Sequence, residues 1–208
     1  MGYFFPLVLI FLPLKIEKPL INKTLLFVIA HKDFRDEEYE VPRNIFRRLG
    51  AKVFVASSDT GIAVGERGLC VAPDTLISQI DTFDFDGVIF IGGMGAMKYW
   101  NDENAHRIAK SAARNNKVIG AICVAPVILA KAGVLRWKEA TVWESPKTKH
   151  ILKQEKVEYV LKPVVTSGNI VTANGPIAAK QFGEEIVRLL LKKNEGSDTE
   201  GKKSGMQD

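Results

Sequence analysis

A chain of 208 residues, 46% apolar and 25% charged, has the make-up of one soluble globular domain with a sizeable core. Its net charge of +5 comes from basic residues scattered with no Lys/Arg block longer than two, so no nucleic-acid partner is expected. Two cysteines and three histidines exclude a disulfide framework and a zinc-type ligand cluster, and they favour a reducing, cytoplasmic setting with no metal or cofactor.

Residues 1–21 form an apolar extension. Its run 3–14 is too short to span a bilayer and is broken by Pro6 and Pro13. It lacks the basic start and small-residue cleavage site of a secretory signal. A start assigned too far upstream, a disordered extension and a partner-docked one all remain open, and no membrane anchor is expected. The domain is expected over 22–193. Residues 194–208, polar and without an apolar face, are expected to be a disordered tail.

Residues 24–30 (TLLFVIA) read as a strand buried on both faces. A polar loop, 31–36, leads to a helix over 37–49, apolar at Tyr39, Val41, Ile45, Phe46 and Leu49 and stopped by Gly50. Pro42 should kink it or mark its true start. A second buried strand follows at 52–57. The alternating stretch 61–73 reads as a β-hairpin outside the main alternation, with Cys70 packed in its second arm. After a short helix at 76–80, a third buried strand at 86–91 runs into Gly92-Gly93-Met94-Gly95. Glycines there permit positive φ and close approach to the backbone. Residues 102–115 form a helix.

The stretch 117–135 (KVIGAICVAPVILAKAGVL) is a buried strand, a cysteine and a helix over 124–132 that ends at Gly133. Ala121 and Ala125, small residues two positions either side of Cys123, suit the sharp turn of a nucleophile elbow. At a helix start, that thiol should ionise more easily than a free cysteine. The bland alternative is a small apolar residue between strand and helix. Beyond it come short strands at 140–143, 157–160, 164–166 and 170–173, an exposed helix at 146–156, and an amphipathic helix over 176–193. The last two strands flank a turn at Ser167-Gly168-Asn169.

This alternation implies a three-layer α/β sandwich, a mostly parallel sheet with helices on both faces. Sites in such sheets form outside the carboxyl ends of the strands. The loop after the first strand, the Gly92-Gly93 turn and Cys123 all lie there.

The motif Ala121-Ile122-Cys123-x-x-Pro126, with the preceding Gly-Gly strand end and the following ILAKAGVL, resembles the ThiJ/PfpI superfamily. So do Glu38, Pro42 and Gly50 early in the chain, and Gly168, Asn169, Thr172, Gly175 and Pro176 late in it. The likeness runs from about residue 24 to residue 191. It implies the class I glutamine amidotransferase-like, flavodoxin-like fold. The superfamily includes the parkinsonism-associated deglycase, PfpI-type peptidases and glutathione-independent glyoxalases. The resemblance implies Cys123 as nucleophile, Glu38 as the buried glutamate beside it, and the N–H groups of Gly93 and Val124 as an oxyanion hole. It also implies a homo-oligomer and a small carbonyl or amide substrate.

Two positions depart from the pattern. The peptidases carry His directly after the cysteine, where this chain has Val124. The deglycase branch carries His after the next short strand, where this chain has Trp143. His31, at the site end of the first strand, is therefore the expected base, ahead of His150 on the exposed helix and His106. The enzymatic reading is a cysteine-dependent hydrolase or lyase of reactive carbonyls. The alternatives are a redox or stress sensor or chaperone, a peptidase, and a relative that only binds a ligand or partner.

Overall fold

The computed structural model of the protein describes residues 18–201, with side chains to residue 193. The expected apolar run 3–14 and the end of the expected tail lie outside the described residues.

The chain order is β1 (Thr24–Val28), β2 (Lys32–Phe34), α1 (Asp36–Arg48), β3 (Lys52–Ser57), β4 (Ala63–Gly65), β5 (Cys70–Val71), β6 (Thr75–Leu76) and β7 (Gly87–Phe90). It continues through α2 (Glu103–Arg114), β8 (Val118–Ile122), α3 (Pro126–Lys131), β9 (Glu139–Ala140), α4 (Pro146–Gln154), β10 (Glu158–Tyr159), β11 (Val164–Ser167), β12 (Ile170–Ala173) and α5 (Ala179–Gly201). Single-turn 3₁₀ segments cover Ile77–Gln79, Thr82–Asp84 and Pro176–Ala178, and a longer one covers Met94–Asn101.

Seven strands form the central sheet in the order β11-β12-β8-β7-β1-β3-β6. All neighbours run parallel except β11, which is antiparallel to β12. β1, β7 and β8 occupy the middle and are apolar along their whole length, as strands covered on both faces must be. Helices α1 and α5 pack together on one face, while α2 and α3 cover the other. Phe27, Phe46 and Phe182 are fully buried beneath the first pair.

Local differences from the sequence reading have physical reasons. Packing begins before residue 22, because Leu20 is fully buried and donates its N–H to the carbonyl of Leu49. Helix α1 starts at Asp36 and holds Pro42 in its interior. Proline there removes the N–H that would bond the carbonyl of Glu38. The strand expected over 140–143 pairs only at Glu139–Ala140. Beyond it the N–H of Thr141 goes to the Thr172 hydroxyl, and that of Trp143 to the carbonyl of Cys123. Helix α5 runs past residue 193 to Gly201. The hairpin of β4 and β5 is present, and β2 joins it in a separate three-stranded sheet. Cys70 on that hairpin is exposed rather than packed.

Candidate active site

Cys123 follows the last residue of β8 and has φ of 62°, a left-handed conformation that a non-glycine residue rarely adopts. Strain of this kind persists only where its surroundings fix it. Three hydrogen bonds do so here. The N–H of Cys123 donates to the carbonyl of Ala173 on β12 at 2.9 Å. Its own carbonyl accepts from the N–H of Trp143 at 2.8 Å. The next carbonyl, of Val124, accepts from the indole of Trp100 at 3.0 Å. Ala121 and Ala125 are fully buried, so the turn has no room for larger side chains. Cys123 therefore stands at a sharp, left-handed turn at the end of β8. The helix after it is shorter than expected, six residues from Pro126.

Glu38, in the first turn of α1, is fully buried. Its Oε2 accepts the N–H of Gly92 at 3.1 Å. Oε1 is buried with no conventional hydrogen-bond partner. The polar neighbour left to the carboxyl is the thiol of Cys123. A Cβ at residue 92 would lie 2.5 Å from Oε2 and 2.6 Å from the Cys123 Cβ, so only glycine fits between them.

Burial pushes the Glu38 carboxyl up to about 8, against the opposing pull of its contacts with Cys123 and Gly92 and the charge of Arg35. At neutral pH it carries its proton and can donate it towards sulfur. Burial also pushes the Cys123 thiol up, and a negative charge on Glu38 pushes it further. The backbone N–H groups of Gly93 and Val124 near the sulfur pull the other way. This runs against the expectation of an easily ionised thiol, because partial burial beside the Glu38 carboxyl outweighs the start of a six-residue helix. Glu38 in its protonated form removes the charge that opposes the thiolate.

A cavity of about 240 Å³ opens over the sulfur, lined by Arg35, Glu38, Glu66, Gly93, Met94, Cys123, Val124, Trp143 and Pro176. Trp143 occupies the wall where relatives of the deglycase type were expected to carry His. Its ring lies against Gly175, where a Cβ would come within 2.9 Å of it.

The expected base is elsewhere. His31 lines a separate cavity with Lys32, Ser58, Asp59, Lys98 and Tyr99. Its ring packs near Gly61, because β2 pairs with β4 directly after it and turns the loop towards the hairpin. His106 bonds the carbonyl of Trp100, and His150 is exposed on α4. Among the described residues, no histidine lines the cavity over Cys123.

Arg35 and Glu66 were not found from sequence. Arg35 makes ion pairs with Glu37 at 2.7 Å and Glu66 at 2.9 Å. Glu66 reaches the site on the loop between β4 and β5, which Asp36 holds by accepting the N–H groups of Arg67 and Leu69. An acid spaced like any hairpin charge gives no sequence signal for this.

Among the described residues, no group of three or more His, Cys, Asp or Glu is arranged to hold a metal ion. None of their helices is long and apolar enough to cross a membrane.

Residues 23–189 match the DJ-1/PfpI family. An uncharacterised protein of Methanocaldococcus jannaschii is 38% identical over 175 residues, which cover 84% of this chain and 85% of that one. A deglycase of Pyrococcus horikoshii is 31% identical over 166 residues, covering 80% of this chain and 98% of the relative. Among solved structures, the ThiJ/PfpI domain protein of Brachyspira murdochii superposes with a TM-score of 0.77 at 34% identity, over 80% of this chain and 95% of that one.

Proposed function

This chain belongs to the DJ-1/PfpI family, and on that premise we propose that it is a cysteine-dependent enzyme of reactive carbonyls, glyoxalase- or deglycase-like. The observation that carries this reading is the fully buried Glu38 carboxyl beside Cys123, with the backbone N–H groups of Gly93 and Val124 near the sulfur. A pocket of this size suits a small molecule. The reading includes a cytoplasmic homo-oligomer.

With a 2-oxoaldehyde as substrate, the Cys123 thiol releases its proton to solvent, its sulfur adds to the aldehyde carbon, and the carbonyl electron pair moves onto oxygen. The N–H groups of Gly93 and Val124 stabilise that charge. Glu38 gives its proton to the oxygen and becomes a carboxylate. It then removes the C–H proton from the carbon bearing sulfur, and the electrons shift onto the neighbouring carbonyl. Glu38 returns that proton to the neighbouring carbon, the hydroxyl proton on the sulfur-bearing carbon passes to the neighbouring oxygen, and a 2-hydroxy thioester results. Water cleaves the C–S bond, its hydroxyl going to the acyl carbon and its proton to sulfur, which releases a 2-hydroxy acid and the thiol, and Glu38 takes back from solvent the proton the thiol released. The sum is addition of one water, so the redox change is internal to the substrate. Glu38 acts as both acid and base, which removes the need for His31 or any other histidine in this cavity.

The test is conversion of methylglyoxal to lactate by the wild type, Cys123→Ser and Glu38→Gln. The reading requires wild-type turnover that falls at least about a hundredfold in both variants, the scale of a lost acid–base group. Absence of wild-type turnover, or turnover that survives Cys123→Ser, sinks it.

A second reading is a redox sensor that halts at the sulfinic acid of Cys123. The partial exposure of this thiol favours it, together with a protonated carboxyl and two N–H groups able to hold sulfinate oxygens. Peptidase activity is less well supported, because the cavity offers no histidine to protonate an amine leaving group.

A further inference from the structure

The N–H of Gly93 can face Cys123 only while the Gly92–Gly93 peptide is turned one way. Gly93 has φ of 95° and ψ of 165°, a conformation open to glycine. A glycine pair can flip its peptide plane at little cost, and a flipped plane would present a carbonyl to the sulfur. Hydrogen bonds hold the plane on both sides. The carbonyl of Gly92, on the same peptide as the Gly93 N–H, accepts the N–H of Arg35 at 3.0 Å. Because N–H and C=O of one trans peptide point in opposite directions, this turns the Gly93 N–H towards Cys123. On the next peptide, the N–H of Met94 donates to Oε1 of Glu66 at 2.7 Å. The other oxygen of Glu66 is held by the Arg35 guanidinium at 2.9 Å. The carbonyl of Gly93 accepts from Ala96 at 3.1 Å.

We propose that Glu66, delivered by the β4–β5 loop, is a positioning residue that locks the Gly92-Gly93-Met94 backbone so that the Gly93 N–H faces the sulfur of Cys123. This rests on the proposed role of Gly93 as an oxyanion donor. It gives the hairpin a task in the site: Asp36 holds the loop, the loop carries Glu66, and Glu66 with Arg35 fixes the donor. Glu66 acts through the backbone and needs no contact with substrate.

The test reads Cys123 alkylation by intact mass at fixed pH, in a Cys70→Ser background, for Glu66→Ala, Glu66→Gln, Met94→Pro and Met94→Ala. This readout does not depend on turnover, so it separates failure of the lock from failure of the carbonyl reading. Charge and positioning predict opposite signs. Loss of the negative charge near the sulfur alone makes alkylation faster, whereas loss of the Gly93 hydrogen bond to the thiolate makes it slower.

Glu66→Ala is expected to slow alkylation about tenfold, the scale of one hydrogen bond to a charged group. Met94→Pro removes the backbone donor, at the first position of a 3₁₀ turn where proline is tolerated, and is read against Met94→Ala because both lose the cavity-lining side chain. Relative to Met94→Ala it should slow alkylation by a similar factor with no change in charge. Glu66→Gln keeps an acceptor for Met94 and should retain the wild-type rate or exceed it. Circular dichroism and thermal melting identify the folded variants. The proposal is overturned if folded Glu66→Ala alkylates as fast as the wild type, if folded Met94→Pro alkylates as fast as Met94→Ala, or if Glu66→Gln is as slow as Glu66→Ala.

Discussion

The carboxyl of Glu38 lies against the thiol of Cys123, and the space they share exists because residue 92 has no side chain. Gly92→Ala would put a methyl group into both. The neighbours are a helix-borne carboxyl and the Cβ of a strained elbow, neither free to move far. We expect a loss of about 1–3 kcal/mol in stability, read by urea unfolding, together with loss of Cys123 alkylation. A variant as stable and as reactive as the wild type would contradict this packing.

Glu38 also sets a pH dependence of stability. Its carboxyl moves from the ordinary 4.5 to about 8 on folding. The folded state therefore binds this proton more tightly than the unfolded state, and the group's contribution is full below about pH 4.5. It declines as pH rises and is lost by about pH 8. Glu38→Gln removes this dependence. The difference in unfolding free energy between Glu38→Gln and the wild type should grow in favour of the variant between these limits, by a few kcal/mol. A difference constant with pH would contradict the burial of an ionisable carboxyl here.

The left-handed elbow predicts an inverted order of two small substitutions. At an ordinary position glycine is about 0.5–1 kcal/mol less stable than alanine. At φ of 62° alanine carries a strain of about 1 kcal/mol that glycine escapes. Cys123→Gly should thus be at least as stable as Cys123→Ala in chemical denaturation. A clearly weaker Cys123→Gly would mean that the elbow is relaxed.

His31 lines its own cavity. His31→Ala should leave the Cys123 alkylation profile unchanged between about pH 5 and 8, the span in which an imidazole changes charge. A shifted profile would return His31 to the thiol's environment.

The sheet was legible because its middle strands are unbroken apolar runs spaced by helices and closed by glycines. The elbow was legible because Ala121, Cys123, Ala125 and Pro126 meet the steric needs of one sharp turn. Glu38 was legible only through resemblance, since a glutamate on an acidic helix start otherwise reads as a solvated charge. His31 was misplaced because strand ends specify an edge of the sheet, not which of two neighbouring cavities a side chain enters. That choice is made by β2 pairing with β4, a contact distant in sequence. Glu66 was invisible for the same reason: its partners Arg35 and Met94 lie on other elements. The thiol's ionisation was misjudged because desolvation depends on the whole packed site.

The most direct measurement is the rate of Cys123 alkylation from about pH 6 to 10, read by intact mass, in Cys70→Ser and in Cys70→Ser with Glu38→Gln. If thiol and carboxyl share one site, the rate with Glu38 present rises with pH and bends near pH 8, where the carboxyl ionises and its charge begins to oppose the thiolate. With Gln at position 38 the bend disappears and the rate keeps rising. Profiles that superpose, or a Cys123 inert in the folded protein, would contradict the pairing on which the account rests.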